Sequence, residues 1–201
     1  MNLSFKSAFQ SFLFLLVWFS LILQFVIRKD SVGNFFSYFT ILSNLLFGIY
    51  LLFLAVFKNT RGAAYFSRPN VLSAITLYMI IVGLVYNLVL RGIWNPQGWQ
   101  LVADNLLHVV NPLLSAVYWV VFLKRGMLTY KGMLNWLIFP LLYLIYSLVR
   151  GHFNNWYPYP FLNVTKFGYS QVLINASFVV IAFLLFSVLL IQLDRVLKKL
   201  A

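Results

Sequence analysis

The sequence has no cysteine, three acidic residues and two histidines. The absence of cysteine excludes disulfides, thiol nucleophiles and thiolate metal ligands. Only 9% of the residues are charged whereas 63% are hydrophobic, which leaves too little polar surface for a water-soluble globule of 201 residues. The sequence therefore predicts an integral membrane protein.

The net charge of +12 does not indicate a nucleic-acid-binding protein. The 15 Lys and Arg residues stand singly or in short groups at the ends of apolar runs, as topology signals do, and they form no contiguous basic patch. We expect membrane lipids as partners, and no nucleic acid.

Six apolar runs predict an all-α, polytopic membrane protein, a six-transmembrane-helix bundle that forms a single domain over residues 1–201. The runs cover approximately Ala8–Ile27, Phe35–Phe57, Val71–Leu90, Leu106–Leu123, Met133–Val149 and Val172–Leu193. All but the fourth and fifth reach the roughly 20 residues that cross a hydrocarbon core of about 30 Å. Pro69 and Gly168 are helix-start signals before the third and sixth runs.

Two features of the flanking residues set the predicted orientation. The first run has full membrane length and no small-residue cleavage site after it, so we interpret it as a retained span and not as a signal peptide. Ten of the 15 basic residues fall at the termini and connections of one side. These are Lys6, Lys58, Arg61, Arg68, Lys124, Arg125, Lys131, Arg195, Lys198 and Lys199. Both termini are therefore predicted to be cytoplasmic.

Polar residues inside the predicted spans concentrate in the outer halves. Thr40, Ser43 and Asn44 share one helical face. A second stripe follows a four, three, four spacing in the fourth run, and further polar residues close the other runs. These positions are Asp104, His108, Asn111 and Ser115, and then Asn87, Arg91, Ser147, Arg150, His152, Gln171 and Asn175. Because the inner halves consist almost entirely of Leu, Val, Ile and Phe, the pattern predicts one outward-opening polar cavity.

Thr40 and His108 are the candidate nucleophile and base. A hydroxyl is a poor nucleophile at neutral pH, and His is the side chain best suited to take its proton. The two residues lie at similar depths in their predicted helices. Asp104, one turn before His108, either orients the imidazole or pairs with Arg91.

Amide and guanidinium groups supply the predicted substrate contacts. Asn44 and Asn111 carry N–H donors for a developing oxyanion, and Arg91 and Arg150 are suited to a carboxylate. The remaining candidates are Ser43, Asn87, His152 and Asn175. Interhelical hydrogen bonding is the alternative interpretation of such residues, and we prefer it for Ser115, Ser147 and Asn175 taken singly.

A metal centre is the rival chemistry. His108, His152 and Asp104 could supply three ligands to a hydrolytic zinc ion. The chain has no closely spaced His pair, so we expect no metal and no other cofactor.

Two short motifs resemble a known family. YFTILSN at Tyr38–Asn44 and NLLHVVNPLL at Asn105–Leu114, in a chain of six short-looped spans, resemble the androgen-induced protein family of membrane hydrolases, especially its bacterial six-transmembrane branch. The resemblance implies a threonine hydrolase in a bacterial inner membrane that acts on lipid esters such as fatty acid esters of hydroxy fatty acids. It assigns the essential threonine and histidine to Thr40 and His108.

The chain departs from the animal members of that family around both motifs. Ser43 and Asn44 follow the threonine, and Asn111 and Pro112 follow the histidine. The departures leave the substrate open. Two other classes of protein also stay open. A small transporter would need polar residues on the inner side as well, and a non-catalytic lipid-binding protein would need only the cavity.

Overall fold

Helices form all the regular secondary structure in the computed structural model, which describes residues 3–93 and 95–200. The helices are α1 (Leu3–Ile27), α2 (Val32–Phe35), α3 (Phe39–Ala55), α4 (Arg61–Phe66), α5 (Pro69–Val85), α6 (Trp99–Asn105), α7 (Asn111–Phe122), α8 (Tyr130–Met133), α9 (Ile138–Asn154) and α10 (Val164–Leu200). Wide π-helical turns at Tyr86–Leu90 and Leu106–Val110 extend α5 and join α6 to α7. Single 3₁₀ turns lie at Leu134–Leu137 and Pro160–Leu162.

The lengths of these helices indicate a membrane protein. In the described ranges, five helical segments are long and apolar enough to cross a bilayer: Phe5–Ile27, Pro69–Leu90, Trp99–Phe122, Tyr130–Asn154 and Val164–Leu200. The second predicted span corresponds to α3, a shorter apolar helix of 17 residues.

The prediction of which spans are short was wrong. The helices at the fourth and fifth predicted spans have 24 and 25 residues, and the helix at the second predicted span has only 17. The helical segment at the fourth predicted span starts at Trp99, so it includes polar residues that a count of apolar residues leaves out. The second apolar run crosses a turn at residues 36–38, where α2 ends before α3 begins. Apolar composition continues through that turn and so does not reveal it.

The two predicted helix-start signals have different outcomes, because Pro69 begins α5 whereas Gly168 lies inside α10, which begins at Val164. Pro69 is the first residue of α5, where its missing N–H costs nothing, so this prediction is confirmed. Gly168 interrupts α10 with φ 71° and ψ 163°, a conformation that is essentially restricted to glycine.

The chain forms two compact units, Met1–Met127 and Leu128–Ala201. In the first unit, α3 packs between α1 and α5, and α7 packs on α5. Its fully buried side chains include Leu13, Val17, Phe47, Leu51, Leu77 and Met79. In the second unit, α10 packs against α8 and α9, and the fully buried Asp194 accepts a hydrogen bond of 3.2 Å from the N–H of Leu128.

Buried polar pairs also occur at the end of the first unit where α1 begins and α7 ends. Gln10 donates to the hydroxyl of Tyr118 at 2.6 Å, and the indole of Trp119 donates to the hydroxyl of Ser73 at 2.8 Å. The expectation of almost purely apolar inner halves took no account of these groups. A lone Gln, Ser or aromatic residue in an apolar run looks incidental until its partner on another helix is known.

Gly168→Ala is expected to lower the free energy of unfolding by about 1–3 kcal/mol, because alanine is strained in the backbone conformation found there. Chemical denaturation in detergent micelles measures the change. Gly92→Ala is the matched control, since a Cβ added at Gly92 would meet no atom within 4 Å. Equal stability of the two variants would contradict a required break at Gly168.

Candidate active site in the first unit

The candidate site is built on the π-helical turn Leu106–Val110, which lies just before Pro112. Proline has no N–H, so it cannot donate to the carbonyl four residues earlier, as in an α-helix, or five residues earlier, as in a π-helix. Those two carbonyls belong to His108 and Leu107. In an apolar environment each of them needs a donor from another part of the chain.

Two side-chain amides supply these donors. Asn44 Nδ2 donates to the carbonyl of Leu107 at 3.2 Å and to the carbonyl of Thr40 at 2.9 Å. Asn87 Nδ2 lies 3.4 Å from the carbonyl of His108 and 2.8 Å from that of Gly83. One amide group thus joins the main chain of Thr40 to the turn that carries His108.

Asn111 extends the same network to a third helix. Its Nδ2 donates to Ser20 Oγ of α1 at 2.8 Å and to Asn44 Oδ1 at 2.9 Å. Asn44 and Asn111 are fully buried, and both N–H groups of each amide are engaged. These bonds give the two residues a structural role in place of the predicted oxyanion role, because an oxyanion would have to displace existing partners.

A close helix contact holds α5 against this turn. A Cβ built on Gly83 would lie 3.3 Å from the carbonyl oxygen of His108 and 3.3 Å from Pro112 Cβ. Such distances are tight for a methyl group, so a residue without a side chain suits the contact. Gly83 therefore lets α5 bring Tyr86 and Asn87 up to the turn.

Asp104 lies beside His108. The Nδ1 atom of His108 is 3.3 Å from Asp104 Oδ1 and 2.9 Å from the main-chain carbonyl oxygen of Asp104. Arg91 instead donates to Asn105 Oδ1 at 3.2 Å. Of the two pairings left open for Asp104, the structure has the one with His108. Since Nδ1 faces Asp104, Nε2 is the ring nitrogen left for proton transfer.

Tyr86 completes this cluster, and the sequence interpretation missed it. Its hydroxyl donates to Asp104 Oδ2, and its ring stacks on the imidazole of His108 with centroids 4.0 Å apart and an interplanar angle of 17°. A buried carboxylate has two oxygens to satisfy. With His108 beside one oxygen, the other oxygen still needs a hydrogen-bond donor. A search for a donor at the same depth could have identified this tyrosine from the sequence.

The remaining candidates of the first unit differ in burial. Thr40 is 6% exposed, and Ser43 is fully buried with a hydroxyl that has no partner among the described residues. His108 is partly buried, whereas Asn87 near the start of the π-helical extension of α5 and Arg91 just after its end are exposed. The unit thus combines a buried threonine, a partly accessible imidazole and a guanidinium group near the surface.

The other predicted site residues belong to the second unit. Arg150 lies over the ring of Trp156 at 4.5 Å, and the exposed His152 meets Phe153 edge to face. Asn175 donates to the carbonyl of Phe161 at 3.0 Å. Ser147 is fully buried. These contacts tie the residues to their own unit, and the hydrogen bond of Asn175 agrees with its interpretation as structural.

Residues 3–93 and 95–200 contain no group of three His, Cys, Asp or Glu side chains that could share a metal ion. The alternative zinc site of His108, His152 and Asp104 would draw ligands from both units and stays an interpretation of the sequence alone. The cluster of Asp104, His108 and Tyr86 holds an imidazole with a carboxylate beside one of its nitrogens. This is the arrangement of a general base.

Asn44→Leu is expected to lower the free energy of unfolding by about 1–3 kcal/mol, because it leaves the Leu107 carbonyl and the Asn111 amide without their partner in the core. Chemical denaturation in detergent measures the loss. Ser177→Ala serves as control, since the exposed Ser177 hydroxyl bonds only to a carbonyl of its own helix. A loss no greater than that of the control would contradict the bridging role.

Comparison of the chain with protein-family models, with curated proteins and with solved structures finds no match. The functional interpretation therefore depends on the chemistry of the residues in this cluster.

Proposed function

We propose that this protein is an intramembrane ester hydrolase in which Thr40 is the nucleophile and His108 the general base. The observation that carries the proposal is the position of Asp104 against Nδ1 of His108, in a turn that Asn44 ties to Thr40. α3, which bears Thr40, also packs directly on that turn. The nucleophile and base thus lie on neighbouring elements of one buried network.

In the proposed reaction, the Nδ1 proton of His108 faces Asp104, so Nε2 is free of a proton and takes the one on Thr40 Oγ1. The threonine oxygen attacks the ester carbonyl and forms a tetrahedral intermediate. The intermediate collapses as the alcohol leaves with the proton from Nε2, and the acyl group stays on Thr40. Water, deprotonated by His108, then releases the acid and restores the threonine.

A lipid ester fits the surroundings of this cluster. The helices that carry it are apolar and long enough to cross a membrane, so an acyl chain can approach from the bilayer. Arg91 offers an exposed guanidinium near Tyr86, which suits a substrate that also carries a carboxylate. Fatty acid esters of hydroxy fatty acids, the substrates implied by the family resemblance, have both features.

Thr40→Ala and His108→Gln are each expected to reduce ester turnover at least about 100-fold, since each removes a group that acts on the reacting atoms. Turnover of long-chain ester probes and labelling by a fluorophosphonate measure the effect in purified protein. Thr76→Ala is the matched control, because Thr76 is a second buried threonine of the same unit and lies outside the Asp104, His108 and Tyr86 cluster.

Full turnover or labelling of Thr40→Ala would refute the mechanism.

The buried Gln10–Tyr118 and Trp119–Ser73 pairs favour a small transporter as the second candidate, because they carry polar groups beyond the proposed site. Ion flux into liposomes without ester hydrolysis would support that function. Bound lipid with neither activity would support a lipid-binding protein.

We also propose six spans, with α3 as the short one, and both termini on the cytoplasmic side of a bacterial inner membrane. The excess of basic residues on the side of the termini supports this orientation.

A green fluorescent protein fused after Ala201 is expected to fluoresce in bacterial cells, and alkaline phosphatase fused after Gly92 is expected to be active outside the cytoplasm. An odd number of spans would place the termini on opposite sides. Phosphatase activity of a fusion after Ala201 would therefore contradict the six-span topology.

A further inference from the structure

We propose that Tyr86 is the positioning residue of this site: its hydroxyl holds one oxygen of Asp104 and its ring holds one face of His108. Effects of Tyr86 on turnover rest on the proposed hydrolase function. The arrangement of the three side chains can be tested without it.

The hydroxyl of Tyr86 fixes the rotation of the Asp104 carboxylate. Asp104 is only 4% exposed, so water has little access to either oxygen. Tyr86 takes Oδ2, and this leaves Oδ1 turned toward His108 Nδ1 at 3.3 Å. A carboxylate held from one side alone would be free to turn away from the imidazole. The tyrosine therefore sets the oxygen that faces the base.

The ring of Tyr86 fixes the plane of the imidazole. The centroids of the two rings are 4.0 Å apart and the planes are inclined by only 17°, so the phenol covers one face of His108. Stacked rings exclude water from that face and restrict rotation about the bond that joins the imidazole to its side chain. His108 is thereby held with Nε2 in one direction.

The backbone supports this contact from both helices. Tyr86 opens one π-helical turn, in which its carbonyl accepts the N–H of Arg91 at 2.8 Å, and His108 lies in the middle of the other. Wide turns of this kind recur at functional sites. Here two of them meet, and the side chains at the meeting point are the stacked pair.

Tyr86 contacts Asp104 and His108, and in the proposed reaction it does not contact the reacting atoms. Its loss should therefore slow the chemical step and leave substrate binding unchanged. Tyr86→Phe keeps the ring and removes the hydroxyl. We expect kcat to fall about 10-fold with KM within about twofold, and Asp104→Asn to reduce kcat about 100-fold. The double variant Tyr86→Phe/Asp104→Asn should be no slower than Asp104→Asn, because the hydroxyl acts through the carboxylate.

The double-mutant cycle is measured with the full chain in detergent micelles. Tyr118→Phe is the matched control, since it removes a buried tyrosine hydroxyl that hydrogen-bonds Gln10 and Tyr50 and makes no contact with Asp104 or His108, and its kcat should equal that of the wild type. Additive losses in the double variant would overturn the proposal, because they would mean that Tyr86 acts independently of Asp104. A Tyr86→Phe variant as fast as the wild type would also overturn it.

A second measurement does not depend on turnover. The chain has two histidines, so ring protons of labelled histidine give few NMR signals, and the signal lost in His108→Asn identifies His108. Stacking on Tyr86 should shift the His108 ring protons upfield. Tyr86→Phe should keep that shift and Tyr86→Leu should abolish it.

The two measurements separate the failure of this proposal from the failure of the proposed function. If no ester is hydrolysed by the wild type and the upfield shift is lost only in Tyr86→Leu, Tyr86 positions His108 for some other purpose. If esters are hydrolysed and the wild type and Tyr86→Leu give the same His108 shifts, the hydrolase stands and the positioning role is overturned.

Discussion

A missing hydrogen-bond donor at Pro112 determines much of the structure around it. Proline cannot donate to the preceding turn, and the carbonyls of Leu107 and His108 lie where water is scarce. The chain satisfies both with amides from other helices, Asn44 of α3 and Asn87 of the extension of α5. A local defect in one helix thereby becomes the point where three helices are joined. The cost of leaving a carbonyl unpaired in an apolar medium makes these joints obligatory.

The same network separates structural polar groups from chemical ones. Asn44 and Asn111 have all their N–H groups in hydrogen bonds, three of which join different helical elements, so they act as scaffold. Asp104, Tyr86 and His108 form a second set, in which each contact restrains the imidazole and leaves Nε2 available. Scaffold and site share the turn at Leu106–Val110, so a change in the scaffold is expected to move the site.

The sequence was sufficient for the features that depend on composition and local spacing. Helical class, membrane character and the start of α5 at Pro69 follow from such patterns, whereas the sequence left the partner of Asp104 open between His108 and Arg91. Features that depend on partners distant in the sequence were missed or misjudged. Tyr86 looked like one more aromatic residue in an apolar run, and Asn44 and Asn111 looked like free donors. The length of α3 was misjudged because its apolar run continues through a turn.

The unequal lengths of α3 and α10 bear on how the protein meets lipid. At a rise of about 1.5 Å per residue, the 17 residues of α3 extend about 25 Å, whereas the part of α10 that follows the break at Gly168 extends about 48 Å. A hydrocarbon core of about 30 Å is too thick for the first and too thin for the second. A long helix adapts by tilting or by protruding, but a short one obliges the surrounding lipid to thin. Every residue of α3 is buried or only partly exposed, so in the proposed six-span arrangement the lipid would meet the helices packed around α3 and not the helix that carries Thr40.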